Sequence, residues 1–420
     1  MVCKLGLFGA TLVSTLVLSM GVRAETVKML SIEPNIAEGK TYYANIKKAF
    51  EAQNPGIEVQ IEYLDSESYK TKLPTLLQSK SRPDIFFTWS GGVFYEQAKA
   101  GILKDISAQM NAGWKDSFST AGVNALTYQG KVYGAPMYAA NVVLWYNKKL
   151  LEQAKVDPKG IKTWDDFLNA VKAVKAAGIT PVVVGGKDKW PLQFYYGYLA
   201  TRIAGKDGIA AAGAGQNGGF ADKDFVRAGD EFKRLIDLKP FQPGFMDATA
   251  PKAGGLFGDG KAAFHLMGNW DYGTQQKNST SGHGVGDANL GVMPFPMVTG
   301  GHGAAGDTFG GINGWLVTKD ATDASIKWLK FLLNQQNQQE GGRLALWLPI
   351  GKGANAGISN PFMKEIAGFM GNSSYHQLYL DQALGANVGA AVNDAAAELA
   401  TGDLSPNDAA KRIEEARKFR

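Results

Sequence analysis

The triplet Asn269-Trp270-Asp271 sets a flat aromatic surface between two hydrogen-bonding side chains, directly after the short apolar run 262–268. A pyranose calls for this chemistry. Its C–H faces stack on an indole or phenol ring, and its rim of hydroxyls needs side chains that donate and accept in a plane. Trp89-Ser90-Gly91-Gly92, after the apolar run 85–88, offers the same combination, with two glycines that allow a tight turn and a close approach of ligand to backbone. The competing reading makes Trp89 a plug of the core. Asp65, just past the alternating run 57–64, could accept from hydroxyls or cap the helix that follows. If Asn269 or Asp271 caps a helix, ligand contact is not excluded. Trp190 and Tyr138 are weaker candidates of the same kind.

Other constellations point to catalysis or metals and fail on their chemistry. Residues 255–261 have the spacing of a phosphate loop, but Ala262 stands where a magnesium-binding hydroxyl is required. His265, His283, His302 and His376 are isolated, and no HExxH or Cys/His cluster accompanies them. His283 and His302 share Gly-His-Gly contexts followed by Asp287 and Asp307, so a shared metal is the alternative to ordinary loops; Asp307 could equally face a sugar. A glycoside hydrolase needs two carboxyls at a set separation, one with a raised pKa, and Asp65 with Asp271 could be cast in those roles. The sequence points to no catalytic residue, metal or cofactor.

The elements that must position these residues follow from periodicity. Residues 27–32 read as a strand, and Tyr43, Ile46, Ala49 and Phe50 recur at helical spacing until Asn54-Pro55-Gly56 ends the helix. Residues 57–63 alternate as a strand, and 85–87 form a short buried one after a further helix. This βαβαβ order predicts a parallel sheet covered by helices, and open α/β sheets place ligands at their strand ends. Thr163-Trp164-Asp165-Asp166 opens a helix with a hydroxyl cap and first-turn acids. Residues 180–184 read as a core strand, and a helix around Ile326, Leu329 and Leu333 follows the strand 315–318.

The first 24 residues carry Lys4, an apolar stretch over 5–20 and Val22-Arg23-Ala24, which reads as a secretory signal peptide cut near Ala24. The one cysteine, Cys3, lies inside it, so the exported chain would hold no thiol, which suits an oxidising compartment such as the periplasm. The formal charge is +5, and loss of Lys4 and Arg23 lowers it by two, too little for a nucleic-acid face. The basic end from Lys411 to Arg420 is interleaved with Glu414 and Glu415 and reads as a solvated helix. A chain of 420 residues exceeds the usual single core and predicts two lobes.

In order along the chain stand Phe50-Glu51-Ala52-Gln53-Asn54-Pro55-Gly56-Ile57-Glu58-Val59, Arg82-Pro83-Asp84-Ile85, Gly130-Lys131-Val132-Tyr133-Gly134-Ala135-Pro136, Leu144-Trp145-Tyr146-Asn147-Lys148, Thr163-Trp164-Asp165-Asp166-Phe167 and Phe257-Gly258-Asp259-Gly260-Lys261-Ala262-Ala263-Phe264. Together they resemble the extracellular solute-binding proteins of carbohydrate ABC importers, the family of maltose- and glycerol-phosphate-binding proteins. The resemblance implies an α/β, two-lobe periplasmic binding protein fold with a ligand cleft between the lobes and crossing hinge strands. Residues 1–24 would be the signal peptide, 25–135 plus 288–335 lobe one, and 136–287 plus 336–420 lobe two. It further implies a monomer that takes a mono- or oligosaccharide, closes on it and delivers it to the membrane permease, with ATP hydrolysed by a separate subunit and no nucleic acid involved. Gly310-Gly311-Ile312-Asn313-Gly314-Trp315 lies where that family returns its chain past the cleft, so Asn313 would face ligand while Trp315 faces ligand or begins a buried strand. Trp347 is similar to the family's late cleft aromatic, with packing under the final helices as the alternative. Arg343, just before it, would suit an anionic substituent. A polyamine or phosphate ester is the non-sugar alternative.

Overall fold

The structure, a computed structural model, describes residues 24–419; the signal-peptide reading of residues 1–23, Cys3 included, lies outside the described residues. Strand Glu25–Ile32, helix Ala37–Gln53, strand Ile57–Leu64, helix Ser66–Gln78 and strand Ile85–Trp89 follow in the expected order. Glu25–Ile32 lies between the other two strands and parallel to both, as helical crossovers require. Ile85–Trp89 then pairs antiparallel with Thr308–Val317, a strand supplied from far along the chain.

Two long strands join the halves. Gly134–Asn147 runs antiparallel to Thr308–Val317 from Gly134 opposite Leu316 to Asn141 opposite Gly310, with a shift of register between Pro136 and Tyr138. Past Asn141 the first strand changes partners. Residues 142–146 pair with Phe264–Gly268, and residues 144–147 with Leu290–Met293. At the start of Thr308–Val317, His376–Leu378 adds a parallel partner. The short strand Leu348–Pro349, paired with Tyr138 and Ala139, makes a third crossing.

Apolar side chains collect into two separate cores. One holds Val27, Phe50, Phe86, Trp315 and Trp328; the other holds Val142, Trp145, Trp164, Tyr198 and Phe264. Two segments differ from the expected allocation. Leu290, Val292, Phe295 and Val298 pack in the second core, because their strand is laddered to residues 144–147. Trp347 packs in the first core against Tyr42 and Tyr43, because the chain does not leave the first lobe until the crossing at Leu348–Pro349. Trp315 is fully buried and begins no cleft wall. Residues 180–184 are not a regular strand: only Val182 makes bridges, to Phe241 and Phe264. Pro181 brings no N–H to a ladder, and the Gln242 side chain instead pairs with Val184 N (3.0 Å) and O (2.7 Å). Thr163 supplies the expected hydroxyl cap, and Asp166 answers it to complete a capping box. The C-terminal helix Pro406–Lys418 is docked rather than merely solvated, for Glu414 is buried and accepts from Phe220 N at 3.0 Å.

Arg202, on helix Trp190–Gly213, is fully buried. Its Nε, Nη1 and Nη2 donate to the carbonyls of Pro296, Ala304, Asp307, Phe295 and Ala305 at 2.8–3.4 Å. The guanidinium lies 5.4 Å from the Tyr198 ring centroid, and burial lowers its pKa from the usual value. A planar fork of five donors thus pins the loop that feeds strand Thr308–Val317. Arg202→Ala orphans those carbonyls and should cost about 3 kcal/mol or more of stability in urea unfolding, since each buried unpaired group costs ~1–3 kcal/mol. Arg202→Lys, which keeps the charge but not the fork, should recover only part of the loss.

Candidate functional site

A cleft of about 570 Å³ opens between the two cores. Asp65, Glu67, Lys70 and Trp89 line it from the first lobe; Asp188, Trp190, Phe194, Asn269 and Trp270 from the second; Tyr138, Asn313, Tyr379 and Asp381 from the crossing segments and their neighbours. Trp89 ends its strand with its indole braced edge-on by Phe87 (4.9 Å) and Tyr69 (5.8 Å). Trp190 opens a helix, and Phe194 follows one turn later. Trp270 reaches both rings at 6.4 Å and Tyr379 at 6.3 Å, and Phe194 stacks on Tyr379 at 5.5 Å. The second lobe thereby presents one continuous aromatic wall. On the floor, Tyr138 is held between Phe87 (6.2 Å, 24°) and Trp347 (5.7 Å, 17°). Trp347 therefore backs the cleft wall and lines only a side cavity of about 50 Å³.

The polar groups divide into those already satisfied and those waiting. Asn269 Oδ1 accepts from Asn141 N at 3.0 Å. Asp271 lines the cleft and pairs one carboxylate oxygen, Oδ2, with His265 Nδ1 at 2.8 Å, while its Oδ1 has no protein partner; both residues are fully buried. Neither residue caps the helix Asp271–Asn278, whose first flanking residue is Trp270 without a side-chain bond. Asp65 does cap its helix: its carboxylate accepts from Ser68 N at 3.0 Å, and hydrogen bonds from Ser68 hold its pKa below the usual carboxylate value. By contrast Asn313 Oδ1 and the Tyr379 hydroxyl are buried and have no protein partner. Burial pushes the Tyr379 phenol well up, so it stays a hydroxyl that can donate. Burial also raises the carboxyls of Asp381 and Asp188, while the charge of Lys70 works against both shifts. The walls are tied across the opening by Trp190 Nε1, which donates to Glu67 Oε1 at 3.1 Å, and by Lys277 Nζ, 3.6 Å from Glu33 Oε1.

Asp65, Trp89, Tyr138, Trp190, Asn269, Trp270, Asp271 and Asn313 therefore meet in one cleft. Four other candidates do not reach it. Ser90 is buried beside the crossing strand, its N–H bonded to Ile312 O at 3.1 Å. Asp307 holds its own loop, accepting from Ala304 N (2.7 Å) and Ser374 Oγ (3.3 Å). Arg343 is exposed and forked onto Glu340 at 2.6 and 2.7 Å. Trp347 stands behind Tyr138. Gly91 and Gly92 serve a close approach, but of protein: Gly91 has φ 117°, and added Cβ atoms would strike the backbone of residues 382–385. Residues 255–261 form a helix end, not a phosphate loop, and Gly255 lets that helix lie against Asn278. Among the described residues no three His, Cys, Asp or Glu side chains converge as a metal site, and His302 has only Asp224 near it, at 3.9 Å.

Sequence reasoning missed Glu67, Lys70, Asp188, Phe194, Tyr379 and Asp381. Glu67 and Lys70 had a usable signal, since the first turn after a capping Asp65 shares its face. Tyr379 and Asp381 had none, for they sit where the strand His376–Leu378 passes into the helix Leu380–Ala383, both too short to show a periodicity.

Two cores, three crossings and an intervening cleft define the two-lobe binding-protein class of fold. Residues 33–339 match the bacterial extracellular solute-binding protein family, and the chain belongs to it. It is 28% identical over 297 residues to an uncharacterised ABC transporter extracellular-binding protein of Pyrococcus horikoshii, a match covering 69% of this chain and 66% of that protein, just under two thirds of its length. It is 26% identical to the maltodextrin-binding protein of Bacillus subtilis, over 71% of this chain and 67% of that one. A solved structure from work on xylan utilization by Caldanaerobius polysaccharolyticus superposes with a TM-score of 0.86 at 25% identity, covering 93% of this chain and 99% of that chain.

The buried carboxyl makes a pH prediction. With its pKa raised by burial, Asp381 binds a proton more tightly in the folded chain than in the unfolded one, so stability falls as pH rises from the ordinary carboxylate range through the raised value. Asp381→Asn should be more stable than the native chain above that window and lose its advantage below it, in urea titrations run at several pH values. A less stable variant at neutral pH would mean that the charge is used, with Lys70 as its partner.

Proposed function

We propose that this chain is the periplasmic substrate-binding component of an ABC importer, exported with cleavage near Ala24, monomeric, and specific for a neutral mono- or oligosaccharide. One observation carries the reading. Aromatic planes from both lobes surround buried hydrogen-bonding atoms, Asn313 Oδ1 and the Tyr379 hydroxyl, that no protein group satisfies. Buried polar atoms left unpaired are costly, and a ring with apolar faces and peripheral hydroxyls would satisfy both features together. Family membership and the maltodextrin-binding relative support it. Ligand contacts to both walls would favour the closed arrangement, and that arrangement would engage the permease.

An anionic solute fits less well, since Arg343 lies outside the cleft and six acids line it (Glu33, Asp65, Glu67, Asp188, Asp271 and Asp381) against three lysines, Lys70, Lys187 and Lys277. Hydrolysis also fits poorly. Asp65 is held toward its ionised form by its cap, the opposite of what a glycosidase acid needs, and Asp271 pairs one carboxylate oxygen with His265.

Mass spectrometry of ligand released from denatured protein, followed by calorimetry against a sugar panel, tests the reading. Trp270→Ala should weaken saccharide binding by about 30-fold or more with the fold intact, the size expected for a central aromatic anchor. Unchanged affinity would remove Trp270 from the site, and release of shorter sugars on incubation would make the protein an enzyme.

A further inference from the structure

One aromatic slot of the cleft is already filled. Lys70 places Nζ 5.5 Å from the ring centroid of Trp89 and 5.5 Å from that of Trp190, one indole from each lobe. Glu67 Oε1 accepts from Lys70 Nζ at 3.0 Å and from Trp190 Nε1 at 3.1 Å, so a single carboxylate oxygen fastens both the ammonium and the opposite wall. The arrangement is built on a short lever. Glu67 and Lys70 are one turn apart at the start of helix Ser66–Gln78, whose first turn is fixed by the Asp65 cap. Their side chains keep 45% and 29% of their exposure, which sets this slot at the wet end of the cleft. The inner rings, Trp270, Phe194 and Tyr379, have no cation over them among the described residues.

An ammonium between two indoles is attracted by the negative faces of both rings, and the Glu67 carboxylate neutralises it. A sugar ring entering the slot would need those same faces for its C–H surfaces, so the two occupants exclude each other. We propose that Lys70 is a specificity-determining residue, a tethered occupant of the outer Trp89/Trp190 slot that limits the length of saccharide the cleft accepts. The inference rests on the saccharide reading above. It places neutral rings on the inner aromatic wall and makes each further ring compete with a side chain that is always present.

The test is calorimetry on the full mature chain with xylo-, malto- and chito-oligosaccharides of increasing length. In the native protein, affinity should stop rising at a certain length. In Lys70→Ala the next longer member should gain about tenfold relative to the one before, the scale of one added aromatic stacking contact. The double variant Lys70→Ala/Trp190→Ala should lose that gain, because the slot then has one wall. An unchanged length profile in Lys70→Ala overturns the proposal. So does a fall in affinity at every length, which would make Lys70 a hydrogen-bond donor to the ligand. Absence of binding for every series, in native and variant protein alike, instead overturns the saccharide reading and the Lys70 assignment with it.

Discussion

Both lobes are carried by the ladder between Gly134–Asn147 and Thr308–Val317. Each strand belongs to both halves, one end of it contributing residues to one core and the other end to the other. Backbone hydrogen bonds must be satisfied wherever they are buried, so the ladder cannot open without large cost, and any movement between the lobes would have to come from twisting where partners change, near Tyr138–Asn141 and Gly310–Asn313. The floor residues of the cleft sit at that place. Asn313 and Tyr138 are opposite one another in the ladder, so a ligand bonded to the floor would touch both crossing strands where their partners change.

The first strands and helices were legible because local periodicity and covalent order suffice for them: the alternation of Ile57, Val59, Ile61 and Tyr63 and the helical spacing of Tyr43, Ile46, Ala49 and Phe50 are each readable in isolation, whereas Asp65 stood open between cap and ligand contact. The second lobe resisted where side chains replace backbone. Residues 180–184 look like a strand, yet Pro181 and the Gln242 amide convert them into a bridged loop. Allocation of segments failed at 288–298 for a similar reason, since nothing local announces that Leu290–Met293 will pair with residues 144–147.

The aromatic and amide candidates Trp89, Trp190, Asn269, Trp270 and Asn313 all arrive at one cavity. Charge was a poor guide. Arg343 and Asp307 carry the right groups, but an i,i+3 acid takes the first and a loop takes the second. Glycines were misleading in another way, because Gly91-Gly92 makes room for the backbone at 383–385 and not for a ligand. A small residue reports that something comes close without saying what.

The same shared ladder also orders events in time. Strand Ile85–Trp89 has Thr308–Val317 as a neighbour, and Trp315, Trp328 and Trp347 fill the core beneath it. The amino-terminal lobe thus cannot be finished when its own strands emerge: its sheet remains with an unpaired edge, and its core unfilled, until residues more than two hundred positions later have been added, and the second core waits longer still, for Ala410 and Ile413. Contacts between such distant segments pay loop-closure entropy first and slow the search. An emerging chain of this kind stays open long after its first strands exist, and the carboxyl-terminal third decides when it becomes a protein.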